Sequence, residues 1–367
     1  MKNILFLTWK DIKHPRKWWA EVVMLEYAKR LVNDWNKVTW FASGFKWWEK
    51  EEVIEGIQII RKYSINTIYF FAWNWYRKFR KENKVDIVID EAWWIPLLSP
   101  LYEKEIPIYF FIHHIPEKEI KDGFIFPINF FMKKFIYWSI SLYKSLPSIT
   151  VSNSTKEELE KKFNFKNVFV VENSLNLEPI EKINFEKKKN EVVFLWRITI
   201  MKRVEESIQA FNELFKKDNS YKLNIIWNKQ DLKYSYELEK LIKRLNLSKN
   251  VNFIEYSKEN LEKYLTEAKL LLVTSTKEWF WLVVLEANSF WLPVFAYDVA
   301  WLRDSVKNWI NWYLIEDWNF KKMWEEIIKL LYDNKCYRNI SESSLEYIKN
   351  FWWWDEKYKE LKKIIKL

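Results

Sequence analysis

Two glutamates stand eight residues apart in the string KEWFWLVVLEANSF, with Glu278 before an apolar run and Glu286 inside it. Upstream, another apolar run leads into WRITIMKR, which sets Arg197 and Lys202 five residues apart. A third, IPIYFFIHH, ends on His113 and His114. Carboxylates accept hydrogen bonds from hydroxyls, while an Arg offers a forked donor and a Lys a mobile point charge. A strand ending near Thr274 and a helix beginning at Leu282 would add unpaired N–H groups, Val283 among them, and a dipole that favours an anion. Each residue also has a plainer reading. Glu286 complements the positive end of a helix, Arg197 and Lys202 serve in surface ion pairs, and the histidines are structural or form a weak metal contact.

Such side chains converge only if strands end and helices begin along one edge. Short β-branched and aromatic runs alternate with amphipathic stretches, the pattern of βα units around parallel sheets. The first half predicts strands at 3–8, 37–41, 57–61, 85–90, 106–113, 148–151 and 168–171. Helices are predicted at 20–33 and 155–162, the second capped by Ser154 and Thr155. The charged segment 178–190, EPIEKINFEKKKN, predicts an interdomain linker. A second series of strands is predicted at 191–195, 222–226, 251–255, 270–274 and 293–297. The fold class is therefore α/β, two doubly wound Rossmann-like domains facing a cleft, with ligands at the carboxyl ends of strands. Residues 123–147 are aromatic with interspersed lysines. They form either an interfacial helix on an anionic membrane or an ordinary domain helix with an apolar face.

Composition removes several alternatives. At 367 residues, 49% apolar and 30% charged, the chain is long enough for two cores and too apolar for disorder. A single cysteine, Cys336, excludes a disulfide framework, and three histidines leave little for a metal cage. No metal site is expected. With neither a signal-type segment nor a run of about 18 apolar residues, the chain is expected in the cytoplasm, at most touching the inner face of the cell membrane. The net charge of +10 suits an anionic ligand and an anionic surface. No nucleic-acid-binding module is recognised, so no nucleic-acid partner is expected.

The chain carries 25 tryptophans but only three glycines, Gly44, Gly56 and Gly123. Ordinary usage would give roughly 25 glycines, at about 7%. Many tryptophans stand where glycine belongs: Trp18 and Trp19 ahead of a helical pattern, Trp35 between Asp34 and Asn36, Trp309 and Trp312 in a polar turn. Most of the 60 basic residues are Lys, which with abundant Ile, Asn and Phe suits AT-rich coding. The pattern points to a gene in which UGA encodes glycine and has been translated as Trp. The alternative is a protein that uses many indoles as core or interface anchors.

With glycine at 279, 281, 291 and 301 the strings become EGFGLVVLE, FGLPV and AGLRD. These closely resemble the donor-site signature of the retaining glycosyltransferases of family 4, group 1 (GT4), which have the GT-B fold. Glu278 and Glu286 then match the two acids of that family's E-x7-E motif. FLWRITIMKR resembles the family's strand followed by Gly-Arg and a later Lys, which places Trp196 at the glycine and Arg197 and Lys202 at the diphosphate-binding basic pair. In FLTWKDIKHPRKWWAE, Trp18 and Trp19 match the Gly-Gly pair of the first loop, and Trp9 matches a Trp of several relatives. His113 matches the histidine placed near the transferred sugar. Ser152 to Thr155 resembles the family's S-x-S-T segment, though a helix cap explains it equally. Asn173-Ser174 departs from the usual Asn-Gly.

The resemblance implies transfer of a sugar from a nucleotide diphosphate sugar to an acceptor hydroxyl with retained configuration, in glycan, glycolipid or cell-envelope polysaccharide synthesis. It implies no metal and no cofactor. Arg197, Lys202 and the N–H groups at 281–283 would stabilise the diphosphate, while Glu278 and His113 position the sugar. Trp18, Trp19, Trp196, Trp281, Leu282, Val283 and Glu286 fall at donor-binding positions. The implied domains are an acceptor-side domain at 1–177, a linker at 178–190, a donor domain at 191–345, and a terminal helix at 346–367 that crosses back. Expected partners are the nucleotide sugar, a glycan or lipid-linked acceptor and an anionic membrane. The competing functions are a sugar-nucleotide epimerase, a phosphorylase, or an inactive nucleotide-sugar or membrane-binding relative if the tryptophans are literal.

Overall fold

Apolar runs from the first half of the chain become strands of one sheet. The structure, a computed structural model, describes residues 1–17, 19–117, 120, 124–175, 179–195, 200–227, 232–275, 282–299, 312–349 and 354–367. In chain order the first elements are β1 (Asn3–Leu7), α1 (Trp19–Asn33), β2 (Lys37–Gly44), β3 (Glu51–Ile54), β4 (Ile57–Ser64), α2 (Ile68–Glu82), β5 (Ile87–Ala92), β6 (Ile108–Ile112), α3 (Ile128–Ser141), β7 (Ser148–Thr150), α4 (Asn153–Phe163) and β8 (Val168–Val170). The sheet runs β3-β4-β2-β1-β5-β6-β7-β8, and its pairs are parallel except β3 with β4. Both faces are covered, which is why its inner strands read as continuous apolar runs. Leu5, Leu7, Val88, Phe110 and Ile112 pack with α2, α3 and α4 on one face. On the other, Tyr27 of α1 meets Phe111 across the sheet.

The second series begins with β9 (Glu191–Leu195) and continues with α5 (Val204–Lys217), β10 (Lys222–Trp227), α6 (Leu232–Arg244), β11 (Val251–Glu255), α7 (Lys258–Glu267), β12 (Leu270–Val273), α8 (Leu282–Ser289), β13 (Val294–Tyr297), β14 (Trp312–Ile315), α9 (Phe320–Tyr332) and α10 (Asn334–Lys349). Its parallel sheet has the order β11-β10-β9-β12-β13-β14. The last helix, α11 (Trp354–Ile365), belongs to the first unit. Trp354 meets Tyr27 edge-on, Asp355 pairs with Arg30 at 2.7 Å, and Asp34 accepts from Tyr358 and Lys362 at 2.8 and 2.6 Å.

The chain divides into Met1–Asn173 with Trp354–Leu367, and Ser174–Trp353. These divisions differ from the expected 177/178 and 345/346. Segment 178–190 is no free linker, because its apolar and backbone groups find partners in the second unit. Ile180 exchanges hydrogen bonds with Ser289 O at 3.0 Å and the Trp291 indole at 2.7 Å, and Phe185 lies edge-on to Trp291 and Tyr337. Residues 346–349 complete α10, so the return to the first unit starts later than expected. Helix α4 also starts earlier than its expected cap. Ser152 is the N-cap, its Oγ accepting from Thr155 N at 3.2 Å, which leaves Ser154 and Thr155 inside the helix.

Candidate active site

In the second sheet β9 has β10 on one side and β12 on the other, so strand order reverses there. Doubly wound sheets bind ligands at the carboxyl edge beside such a reversal. Residues 200–202 form one 3-10 turn, and Arg203 takes a left-handed backbone (φ 45°) to open α5. Thr274, just beyond β12, holds that turn. Its Oγ1 lies 3.0 Å from Lys202 O, 2.9 Å from Arg203 O and 2.9 Å from Ser207 Oγ. Lys202 is buried in this arrangement. The Arg203 guanidinium sits 2.8 Å from Asp317 Oδ1 and 3.9 Å from the Trp318 ring centre, so it braces the turn from behind.

Helix α8 starts on the same edge, after β12. Val283 is buried, while Glu286, about one turn in, is half-buried. Burial pushes the Glu286 carboxyl up to about 7. Tyr256, which follows β11, feels that carboxylate: burial first and the Glu286 charge second raise its phenol. The edge thus combines a buried Lys, an acid poised near neutrality, a phenol and the start of a helix. Together these can hold an anion at one point and hydroxyls at another.

The first unit gathers its own charged cluster at the carboxyl ends of β1, β5 and β6. Lys10 Nζ lies 3.1 Å from Glu21 Oε1 in the first turn of α1 and donates to Arg16 O at 2.7 Å. Asp11 takes both arms of buried Arg61, at 2.7 and 2.8 Å, which fixes the loop after β1. His113 Nε2 lies 3.4 Å from Glu91 Oε1. Burial, with the Lys10 charge adding, lowers the His113 pKa to about 3, so its imidazole is neutral. Burial lowers the Lys10 ammonium as well, with Glu21 opposing. His114 sits edge-on to Trp93 at 4.5 Å.

Val283 and Glu286 therefore share α8, and Lys202 stands on the same sheet edge. His113 belongs to the first unit, as does Trp19, the first residue of α1. Trp18, Trp196, Arg197, Glu278 and Trp281 lie outside the described residues, and of Leu282 only the backbone is described. Among the described residues no group of His, Cys, Asp or Glu could hold a metal ion. Glu91, Lys10, Glu21, Thr274 and Tyr256 were not singled out by the sequence. The available signal was position, since each follows or ends a strand, or opens a helix, at a carboxyl edge.

Residues 177–346 match the family model Glycosyl transferases group 1, and residues 20–179 match Glycosyltransferase Family 4. The chain is similar to a poly(glycerol-phosphate) alpha-glucosyltransferase of Bacillus subtilis, 29% identical over 45% of this chain and 24% of that protein. The match thus spans less than two thirds of that relative. Sucrose-phosphate synthase from Thermosynechococcus elongatus shares the fold at a TM-score of 0.80, with 14% identity over 100% of this chain and 98% of that one. The Anabaena protein HepE, solved with UDP and glucose, does so at 0.74, with 14% identity over 100% of both. The chain is a glycosyltransferase of the group 1, family 4 type with a GT-B fold, two parallel α/β sheets flanked by helices.

Proposed function

We propose that the chain is a retaining transferase that moves a sugar from a nucleotide diphosphate sugar to an acceptor hydroxyl in cell-envelope polysaccharide or glycolipid synthesis. The observation that carries this reading is Glu286, half-buried one turn into α8, within electrostatic reach of Tyr256 and on the edge where Thr274 holds the Lys202 turn. In this reading Glu286 accepts from ribose hydroxyls, and Lys202, Arg197 and the N–H groups at 281–283 stabilise the diphosphate as the glycosidic bond lengthens. His113 and Glu278 orient the sugar, and the departing phosphate takes the acceptor proton. The UDP and glucose in HepE support this class of donor. The acceptor is a glycan or a lipid-linked sugar at the inner face of the membrane.

The same reading takes the tryptophans at 18, 19, 196, 279 and 281 as glycine in the natural product. Backbone conformation supports it. Trp35, Trp47, Trp291 and Trp318 have φ of 63°, 62°, 58° and 64°, the left-handed region where a Cβ is costly and glycine is at home. Three of them, Trp35, Trp47 and Trp318, are 85%, 91% and 62% exposed, so burial does not compensate. Other tryptophans are anchors. Trp40 is fully buried and donates to Thr8 Oγ1 at 2.7 Å, and Trp75 stacks on Phe41 at 3.8 Å. Indoles at these five donor-site positions would instead fill the space of a phosphate.

The test uses protein carrying glycine at those five positions, a panel of nucleotide sugars and acceptors, and nuclear magnetic resonance of the products. Free nucleotide diphosphate with a glycosylated acceptor of unchanged anomeric configuration is expected. Isomerised donor without transfer would assign an epimerase, and dependence on inorganic phosphate a phosphorylase; either replaces the proposal.

A further inference from the structure

We propose that the outward face of α3 docks on an anionic lipid membrane. This helix is apolar on its outward side as well as its inward one. Its inward side carries Ile136, Ile140 and a fully buried Ser139, whose hydroxyl donates to Ile136 O at 2.8 Å. Its outward side is aromatic: Phe131 is 65% exposed, and Phe130 and Phe135 are exposed beside it. The preceding turn adds Ile125 and Phe126, at 81% and 78%. Surface helices ordinarily place polar residues on that side. One exposed Phe needs no explanation, but a run of them marks an interaction surface. Phe70 and Phe71 of α2, which covers the same sheet face, are exposed too.

Charge selects the occupant. From residue 123 to residue 156 the chain has no Asp or Glu, and Lys133, Lys134 and Lys144 stand exposed among the aromatic residues. Lys134 Nζ lies 4.4 Å from the Phe130 ring centre and Lys133 Nζ 5.1 Å from that of Tyr137, so both stems follow aromatic rings. Among the described residues the carboxylate paired to them is Glu117, 3.9 Å from Lys133, a loose contact. A face of phenyl rings and ammonium groups matches acyl chains beneath anionic headgroups. No described helix is long and apolar enough to cross a membrane, so the contact is peripheral. Phe and Ile carry the surface, so it survives if Trp138 is glycine.

Co-sedimentation of the full chain with vesicles tests this without donor or acceptor, so the result is separate from the transferase reading. Binding to phosphatidylcholine vesicles containing phosphatidylglycerol is expected, weakening as salt rises. Pure phosphatidylcholine should bind far less. The double variant Phe131→Ser, Phe135→Ser should lose at least about tenfold in partitioning. Lys133→Glu with Lys134→Glu should lose a similar factor and the preference for phosphatidylglycerol. All four positions are exposed, and circular dichroism melting checks that the variants stay folded. No vesicle binding, equal binding to both compositions, or binding unchanged by the variants overturns the proposal. A dimer dissociated by the Phe variant, with no vesicle binding, overturns it in favour of contact between two copies.

Discussion

His113 Nε2 stands 3.4 Å from Glu91 Oε1, with the two side chains 5% and 2% exposed. Burial holds the imidazole neutral and, with the Glu21 charge adding, pushes the Glu91 carboxyl well above its usual range. Both groups therefore favour their uncharged forms, and at 3.4 Å the carboxyl stands where it can position the ring by contact rather than by charge. Glu91→Gln keeps an uncharged hydrogen-bonding end and should leave kcat within about threefold, whereas Glu91→Ala frees the ring and should lower kcat by about tenfold or more. Steady-state kinetics of both variants decides this. An equal loss in both would mean that the charge of Glu91, not its position, is what matters.

Partial burial pushes the Glu286 carboxyl up to about 7. Only its ionised form accepts fully from ribose hydroxyls, so donor affinity should rise as pH rises. Between about pH 6 and pH 8 the ionised fraction grows roughly tenfold, and affinity should follow by a similar factor. Calorimetry with a nucleotide sugar, whose diphosphate does not titrate in this window, measures it. Glu286→Gln should bind more weakly at high pH and show a flat profile. A slope that persists in that variant would assign the titration to another group.

Stability should fall in acid for a definite reason. His14 is lowered to about 4 and His113 to about 3, both by burial first. Their folded values lie below the unfolded one of about 6.5, so the unfolded chain binds more protons as pH drops. The stability they carry is present above about pH 6.5 and lost as pH falls toward 4 and 3, by up to about 1.4 kcal/mol per unit and group. Arg16 N–H also donates to His14 Nδ1 at 3.0 Å, a bond that protonation removes. Urea midpoints from neutral to mildly acidic pH should decline, and His14→Gln should flatten part of that slope. A midpoint independent of pH in this range would show that neither histidine is held neutral.

Thr274→Val tests the link between β12 and the Lys202 turn. The hydroxyl lies between Lys202 O and Arg203 O, and removing it takes one donor from this turn, while Arg203 O keeps the Glu206 N–H at 2.9 Å. A loss of about 0.5–1.5 kcal/mol in unfolding free energy is expected. Because the same turn carries Lys202, nucleotide binding should weaken by severalfold as well. Unchanged binding in a destabilised variant would confine Thr274 to the fold.

Strand positions in both units were legible because their apolar runs are buried on two faces, and observed ends fall within a few residues of those expected. β3 was not, since EEVI is half charged and pairs at the sheet's edge. Its signal was the turn: Glu55 and Gly56 have φ of 51° and 76°, the pair of positive values a tight hairpin needs. β14 was missed because it starts at Trp312, the last residue of a string that reads as a polar turn. Of the candidate site, Glu286 and Lys202 are singled out by a local string. Glu91 and Tyr256 are not, because the groups that act on them, His113 at 3.4 Å from Glu91 and the Glu286 charge felt by Tyr256, are brought within reach only by the fold.

The tryptophan question is settled by mass. Four diagnostic positions, 279, 281, 291 and 301, fall on one tryptic peptide, Glu278 to Arg303. Trp291 is the one whose backbone is described, and its φ of 58° is the conformation expected of a glycine that ends a helix. From natively expressed protein, this peptide should be lighter than the written sequence by four replacements of indolylmethyl with hydrogen. The peptides carrying Trp40 and Trp75 should keep those residues' mass, since each fills a core site that glycine would leave as a cavity. Four literal tryptophans would mean that bulky groups stand in the loop beside α8. The chain would then be a binding-only relative, and protein made with Trp at 18, 19, 196, 279 and 281 should show no transfer. Activity in such a preparation would refute the glycine assignment directly.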